Sequence, residues 1–420
     1  MLRLFIVCFW LLLISNPVWA RTWTSSSGTY RVEAQFVEYV RGNVVLKKKD
    51  GTTISVPLAK LSEADKKFVA EQTRIRGGEE AIRKGLAKRV SVDFQKTPLY
   101  GTIRVLRRQS RTAIFLDQRA LANAGIRYNT PVTVKKDASL RQALDLMLEP
   151  LKLTWDVKHD VIRITTKEQS AANVVAVIYQ LSANAPAGKL VESIQTTVAP
   201  KSWDEAGGRG SLVVLGRALV IAQTRAVHEQ IAKAFKKQMR PLPRGTEASL
   251  TPKLGQETQI ELLETPLTDA VALLQDLHEI EIEIDEKAFA AAGVNVKKIL
   301  VTMDLRGVRL QSALGLMLSN ADESLTWTVD GKRLIITTQE AAEKKLISKA
   351  YQVRDFVVGG NLDLLLEVIT TSLVPDSWNA NGGLASVRAG PAAGTITVAQ
   401  TVQAHLEIDR FLKNLRQLGR

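Results

Sequence analysis

The sequence predicts an α+β protein: one small β-rich unit, followed by a pair of two-layer α/β modules that occurs twice. Three observations predict this. First, Ser139 to Leu148 sets Leu140, Ala143, Leu144, Met147 and Leu148 on one helical face, and the face returns at Leu310, Ala313, Leu314, Met317 and Leu318. Second, each of these helices is followed by a strand carrying Trp155 or Trp327, and then by a strand closing on Thr165-Thr166 or Thr337-Thr338. Third, Tyr30, Val32, Ala34 and Phe36 alternate as a half-buried strand should.

The chain has 420 residues, 45% of them hydrophobic, enough for several cores. Its net charge of +14 favours anionic partners such as an acidic envelope component. Residues 1–20 read as a signal peptide, the alternative being an uncleaved N-terminal anchor. Arg3 begins it, Leu4 to Ile14 is apolar, and Val18 and Ala20 stand at −3 and −1 of a cleavage site. The apolar run is shorter than the ~20 residues of a membrane span. The expectation is an exported protein, periplasmic or extracellular and soluble after cleavage. Cys8 is the single cysteine, so the mature chain would hold no disulfide, zinc thiolate or cysteine nucleophile.

Residues 21–70 read as short strands. Val44 to Lys48 is one, Asp50-Gly51 a turn, and Ile54 to Val56 another. Ser62 caps a short helix, with Asp65 three residues on. The pattern Arg21-x-Trp23, Gly28-x-Tyr30, Val32-Glu33-Ala34-x-Phe36, the Leu46-to-Gly51 run and Pro57-Leu58 to Asp65 resembles the SLA homology domain. That resemblance implies an SH3-like barrel, which in eukaryotic endocytic adaptors binds Asn-Pro-Phe-type peptides. Candidate contacts for a peptide or protein partner are Trp23, Tyr30, Lys47, Lys48 and Lys49. The alternative makes the aromatic residues core and the lysines a solvated edge that deters aggregation.

Residues 71–89, polar with Gly77-Gly78, read as a linker or a short exposed helix. Residues 90–168 then run β-α-β-β-α-β-β, with a helical turn near Arg119 to Ala124. Thr97-Pro98 is expected to cap the first helix. Residues 258–340 repeat the order: Thr265-Pro266-Leu267 matches Thr97-Pro98-Leu99, and Asp285 matches Asp117. The pattern resembles the short N-terminal domain shared by secretins and TonB-dependent transducers. Residues 173–239 and 347–418 form a second repeated module, βαββα, in which Tyr179-Gln180 matches Tyr351-Gln352 and His228 matches His405. It resembles the domains of secretin periplasmic arms, which assemble rings and contact other envelope proteins. No pore-forming domain comes before Arg420, so the chain is not expected to be the channel itself. Residues 240–257, with Pro241, Pro243, Pro252 and Gly255, read as an interdomain linker.

The chemistry is sparse. No two histidines stand four apart, and no zincin, Walker or Gly-x-Ser-x-Gly motif occurs. No cofactor or metal is expected. Pro-x-Ser-Trp followed by Gly-Gly, around Trp203 and Trp378, reads either as a pair of ligand loops or as duplicated structural turns. Asp204 and Asp376 beside these motifs would serve a hydrolase of envelope polymer, the least supported reading. A nucleic-acid partner is not expected, since the glycines do not follow the pattern of a backbone-clamping loop. The first Thr-Pro-Leu helix carries Arg104, Arg107, Arg108 and Arg111, whereas its copy carries Asp269, Asp276 and Glu279. This contrast reads either as ordinary drift of solvated faces or as a head-to-tail meeting of the copies, within one chain or between chains, the latter giving self-association. The functional expectation is a non-catalytic interaction or scaffold protein of the bacterial envelope. The alternative is a soluble accessory subunit of a secretin-type secretion or pilus system.

Overall fold

The structure, a computed structural model, describes residues 21–40, 43–243, 250–331, 333–356, 362–390 and 394–419. The expected signal peptide, with Cys8, lies outside the described residues. The chain forms two compact units, Met1–Arg74 and Ile75–Arg420.

The first unit is an antiparallel sheet in the order β1 (Arg21–Thr24), β2 (Arg31–Val40), β3 (Asn43–Lys48), β4 (Thr53–Pro57), followed by helix α1 (Glu63–Thr73). A bridge between Ser25 and Leu61 returns the chain after β4 to the end of β1. Alternation decides its core: Trp23, Ala34, Val44 and Leu46 point inward and meet Leu61 and Val69. Ser62 caps α1 by accepting from the Asp65 N–H, and the helix is longer than expected.

The second unit holds the duplication. In its first half come α2 (Glu79–Ala87), β5 (Arg89–Pro98), α3 (Leu99–Ser110), β6 (Ile114–Leu116), α4 (Gln118–Asn123), β7 (Pro131–Ser139), α5 (Leu140–Leu148), β8 (Leu153–Lys158), β9 (Val161–Thr166) and α6 (Lys167–Ala172). The next module comprises β10 (Val175–Leu181), α7 (Ala187–Thr197), β11 (Ser211–Leu215), β12 (Ala218–Gln223), α8 (Arg225–Ala234) and β13 (Met239–Pro241). The second half begins β14 (Glu257–Pro266), α9 (Leu267–His278), β15 (Ile282–Ile284), α10 (Glu286–Ala291), β16 (Leu300–Arg309), α11 (Leu310–Ala321), β17 (Leu325–Asp330), β18 (Arg333–Thr338) and α12 (Gln339–Glu343). It continues with β19 (Ile347–Gln352), α13 (Leu362–Ser372), β20 (Ser386–Ala389), β21 (Thr395–Gln400) and α14 (Val402–Leu415).

The sheets match between halves: β5–β7 with β14–β16, β6-β9-β8 with β15-β18-β17, and β11-β12-β10 with β20-β21-β19. In the middle pair of sheets, β6 lies parallel to β9 and β15 parallel to β18. The backbone repeats even where it is costly. Lys96 and Glu264, Arg111 and Glu279, and Ala199 and Val374 all take positive φ at equivalent places, a conformation that non-glycine residues rarely adopt. Three matched pairs of this kind, with matched sheets, identify the halves as copies of one fold.

The halves stack head to tail. Ala113, Phe115 and Val161 from the first half enter the core built by α9, β16 and α11 of the second. The inner faces of α5 and α11 are buried alike, whereas their outer faces differ. Leu146 on α5 is 42% exposed and its counterpart Leu316 on α11 is 1% exposed, because α11 is covered by the first half. Gly315 stands where α5 has Asp145, and a Cβ there would lie 3.0 Å from the His159 ring. The βαββα modules do the same: Ile178, Val213, Ala218 and Val220 of the first pack on Leu365, Val368 and Ile369 of α13 in the second.

Three expectations need correction. Residues 71–89 are no linker: α1 runs to Thr73, and α2 sinks Ile82 and Leu86 into the first-half core. Of the expected linker 240–257, residues 244–249 lie outside the described residues, while β13 pairs with β10 and Leu254 is buried. Thr97 does not cap α3. Pro98 is the cap residue and makes no side-chain cap bond, and the Leu99 N–H is satisfied by the Thr130 carbonyl at 2.9 Å. Leu267 and Ile299 repeat that bond at 2.9 Å.

Candidate interaction site

In the first unit the candidate residues separate. Trp23 is 1% exposed; its Nε1–H donates to the Ala34 carbonyl at 2.8 Å, and Phe68 meets it edge-on at 5.6 Å. Trp23 is therefore core and touches no partner. Tyr30, where the chain enters β2, is 79% exposed. Lys47 and Lys49 are exposed at the end of β3 and Lys48 is half-buried; Lys49 forms an ion pair with Glu33. Asp65 ties β1 to the start of α1. It accepts from the Thr24 N–H at 2.8 Å, the Ser62 hydroxyl at 2.8 Å and Arg21 Nε at 2.8 Å. Burial works against the Asp65 charge, but these donors and the Arg21 charge outweigh it and hold its carboxyl below the usual range. Tyr30, Lys47 and Lys49 stay exposed around this frame.

The Pro-x-Ser-Trp loops of the second unit are turns locked from inside. Trp203 and Trp378 are buried, and their Nε1–H groups donate to the Val198 carbonyl at 2.9 Å and the Leu373 carbonyl at 2.7 Å. Gly207 and Gly382 take φ of 80° and 92°. The following glycine lies against the preceding Ser: a Cβ on Gly208 would come 2.2 Å from Ser202 C, and one on Gly383 2.1 Å from Ser377 O. Gln223 and Gln400 then tie strand to loop through the Ser202 and Ser377 hydroxyls at 2.8 and 2.6 Å. The two tryptophans are thus not available as contact residues.

The arginines of α3 do not form one face. Arg104 and Arg108 are exposed, but Arg107 is buried. Its Nη1 meets Asp304 Oδ2 at 2.6 Å, and its Nη2 donates to the carbonyls of Asp304 at 3.0 Å and Ile114 at 2.8 Å. Basic helix and acidic second half do meet within one chain, but through Asp304 on β16. Asp269, Asp276 and Glu279, on and just after α9, remain exposed. Arg119 adds a second link, with Nη2 2.7 Å from Glu323.

Other buried polar groups carry no recognisable motif in the sequence. Arg163 lies between Asp156 at 2.5 Å and Asp117 at 3.5 Å, all buried. Its second-half counterparts are Ile335 and Thr328, with Asp285 alone kept, so comparing the copies position by position exposes the charged insertion. Arg225 spreads over the Trp155 ring at 3.7 Å and joins the two first-half modules. His228 and His405 are structural: Nδ1 meets the Tyr179 hydroxyl at 3.0 Å or the Tyr351 hydroxyl at 2.7 Å, and Nε2 donates to a strand carbonyl.

A cavity of about 860 Å³ lies where the four modules of the second unit meet. Asp204 and Asp376 both line it, with Arg209, Glu343, Glu407 and Arg410. Arg410 is engaged there by Asp160 at 3.3 Å and Glu407 at 3.6 Å. Among the described residues no His, Cys, Asp and Glu cluster is placed to hold a metal, and no helix is long and apolar enough to cross a membrane.

Residues 15–76 match the family model of SLA1 homology domain 1. Curated relatives match the chain over short stretches. The actin cytoskeleton-regulatory complex protein of Candida albicans is 41% identical over 71 residues, 16% of this chain and 6% of that protein. That of Schizosaccharomyces pombe is 43% identical over 53 residues, 13% of this chain and 4% of that protein. The chain thus spans about a twentieth of the length of these relatives. Among solved structures it is similar to the enterotoxigenic Escherichia coli GspC-GspD complex of the type II secretion system, at 11% identity and a TM-score of 0.15 over 36% of this chain and 98% of that one. It is also similar to the XcpQN012 structure, at 16% identity and a TM-score of 0.16 over 56% of this chain and 97% of that one. The architecture of the second unit stands on its own sheets and registers.

Proposed function

We propose that this protein is a non-catalytic interaction scaffold that binds a partner peptide through its first unit and uses the duplicated unit as a rigid body. The observation that carries this is the SLA1 homology domain 1 match, whose frame around Trp23 and Asp65 is filled while Tyr30, Lys47 and Lys49 stay exposed. The Trp loops support the same reading, because their distinctive residues are consumed by packing.

The test is titration of the chain from Arg21 onward with Asn-Pro-Phe-type peptides carrying a flanking acid, followed by NMR. Binding should shift Tyr30 and Lys47 to Lys49, and Tyr30→Ala with Lys47→Glu should weaken it at least tenfold. Unchanged spectra at millimolar peptide would reject peptide binding by this unit. Export to the bacterial envelope belongs to the same proposal and is carried by residues 1–20. N-terminal sequencing of the expressed protein should find Arg21 first; Met1 retained in a membrane pellet would refute it.

A further inference from the structure

In the first half the βαββα sheet has a fourth strand. β13 lies antiparallel along the outer edge of β10, pairing Tyr179 with Pro241, Gln180 with Arg240 and Leu181 with Met239. Just beyond it the Leu242 N–H donates to the Ile178 carbonyl at 2.8 Å. The Arg240 guanidinium reaches across to Gln180 Oε1 at 3.0 and 2.6 Å. Pro241 offers no N–H to the far side, so the sheet stops there.

In the second half no described strand covers the same edge. Among the described strands β19 pairs with β21 only. Where β10 is largely covered, five of the six residues of β19 are exposed, Tyr351 being the exception. The residues aligned with Met239 to Pro241 form a 3-10 turn from Arg416 instead of a strand. One side chain stands in for the missing strand: Arg416 Nη2 donates to the Gln352 carbonyl at 2.7 Å and Nε to Asp355 at 2.8 Å. That bond shows which backbone groups face outward. Gln352 does, and by the alternation of a strand so do Ala350 and Ser348. The receiving surface is also ready: Gln352 repeats Gln180, and Ser348 and Ala350 are too small to obstruct a neighbour.

We propose that this edge of β19 accepts an extended segment of a partner polypeptide as an added antiparallel strand. The first half gives the recognition pattern: an apolar residue, an arginine opposite Gln352, a proline that closes the far side, then an apolar residue whose N–H meets the Ala350 carbonyl. The incoming arginine's own N–H replaces Arg416 at the Gln352 carbonyl. Binding therefore competes with that side chain. The inference extends the interaction reading to a second place, and it uses none of the residues of the first unit.

The probe is a peptide with the sequence Lys236 to Pro243, titrated into the full chain by calorimetry with hydrogen exchange read at both edges. The peptide should bind and protect Ser348 to Gln352. Methylating the backbone nitrogen of its leucine should weaken binding at least tenfold without altering the protein. Arg416→Ala should tighten it several-fold. No binding, protection confined to Tyr179–Leu181 through exchange with the chain's own β13, or an equal affinity of the methylated peptide would each overturn the proposal. A dimer joined through β19 in place of peptide binding would overturn it too. Loss of Asn-Pro-Phe binding by the first unit would leave it untouched.

Discussion

Arg107 shows how much one side chain decides here. It is buried on a helix of the first half, and its charge is answered by Asp304 of the second half and by two backbone carbonyls. Removing one member of a buried pair leaves the other uncompensated, which costs more than the pair contributes. Asp304→Ala is expected to lower unfolding stability by about 3 kcal/mol, read as a denaturant midpoint shift at constant slope. His159 makes the second residue-scale prediction. Burial, with Lys158, Arg410 and Arg163 nearby, holds its imidazole down to about 3. A folded value below the unfolded one means the folded state binds fewer protons as acid is added. His159 thus contributes its full stability above the unfolded value near 6.5, and that stability is lost as pH falls from there toward 3. Burial also lowers His278 and His405, which act in the same direction. Stability should fall between pH 7 and 5, and His159→Asn, which tolerates the positive φ, should flatten that slope. A flat wild-type profile would contradict this.

At the scale of elements, periodicity and turn chemistry were legible in the sequence and the second face of a helix was not. Leu140, Ala143, Leu144, Met147 and Leu148 are all buried, as their spacing predicts. Leu144→Asp should cost about 3–5 kcal/mol, with an unchanged melting curve as the contrary result. Thr97 misleads because a Thr-Pro pair imitates a cap, whereas strand β5 runs on to Pro98 and a loop carbonyl supplies the acceptor. Trp203 and Trp378 look functional because tryptophan beside paired glycines is distinctive, yet the distinctiveness comes from packing. Gly208→Ala and Gly383→Ala should each destabilise by about 2 kcal/mol or more, since backbone and not a flexible tip meets the new Cβ. Thermal melts of both variants check this, and wild-type stability in either would refute the turn assignment.

At the scale of the molecule, duplication was legible and its use was not. Matching helix faces identify the copies, but the stacking is written in how the copies differ: Gly315 for Asp145, Val368 for Ser193, and Arg388 for Val213. The positions buried between halves became small or apolar on one copy, while the outward faces of the other stayed polar. That asymmetry is what capping does in a repeat array. A single sequence read one segment at a time shows ordinary drift at such places, because the partner surface lies some 160 residues away: Ser211 meets Ser372. The charge contrast pointed to a meeting of the copies, and the structure moves it from helix against helix to Arg107 against Asp304.

The central claim, that the two halves form one head-to-tail stack inside a single chain, is tested most directly at that same contact. The Ser211 and Ser372 hydroxyls lie 3.2 Å apart across the junction, and Cys8 is the single native cysteine. A Cys8→Ser, Ser211→Cys, Ser372→Cys variant should close an intramolecular disulfide under mild oxidation. It would appear as a faster, reductant-sensitive monomer band that holds one bridged peptide by mass spectrometry. Free thiols after oxidation, or a bridge found only in dimers, would contradict the account.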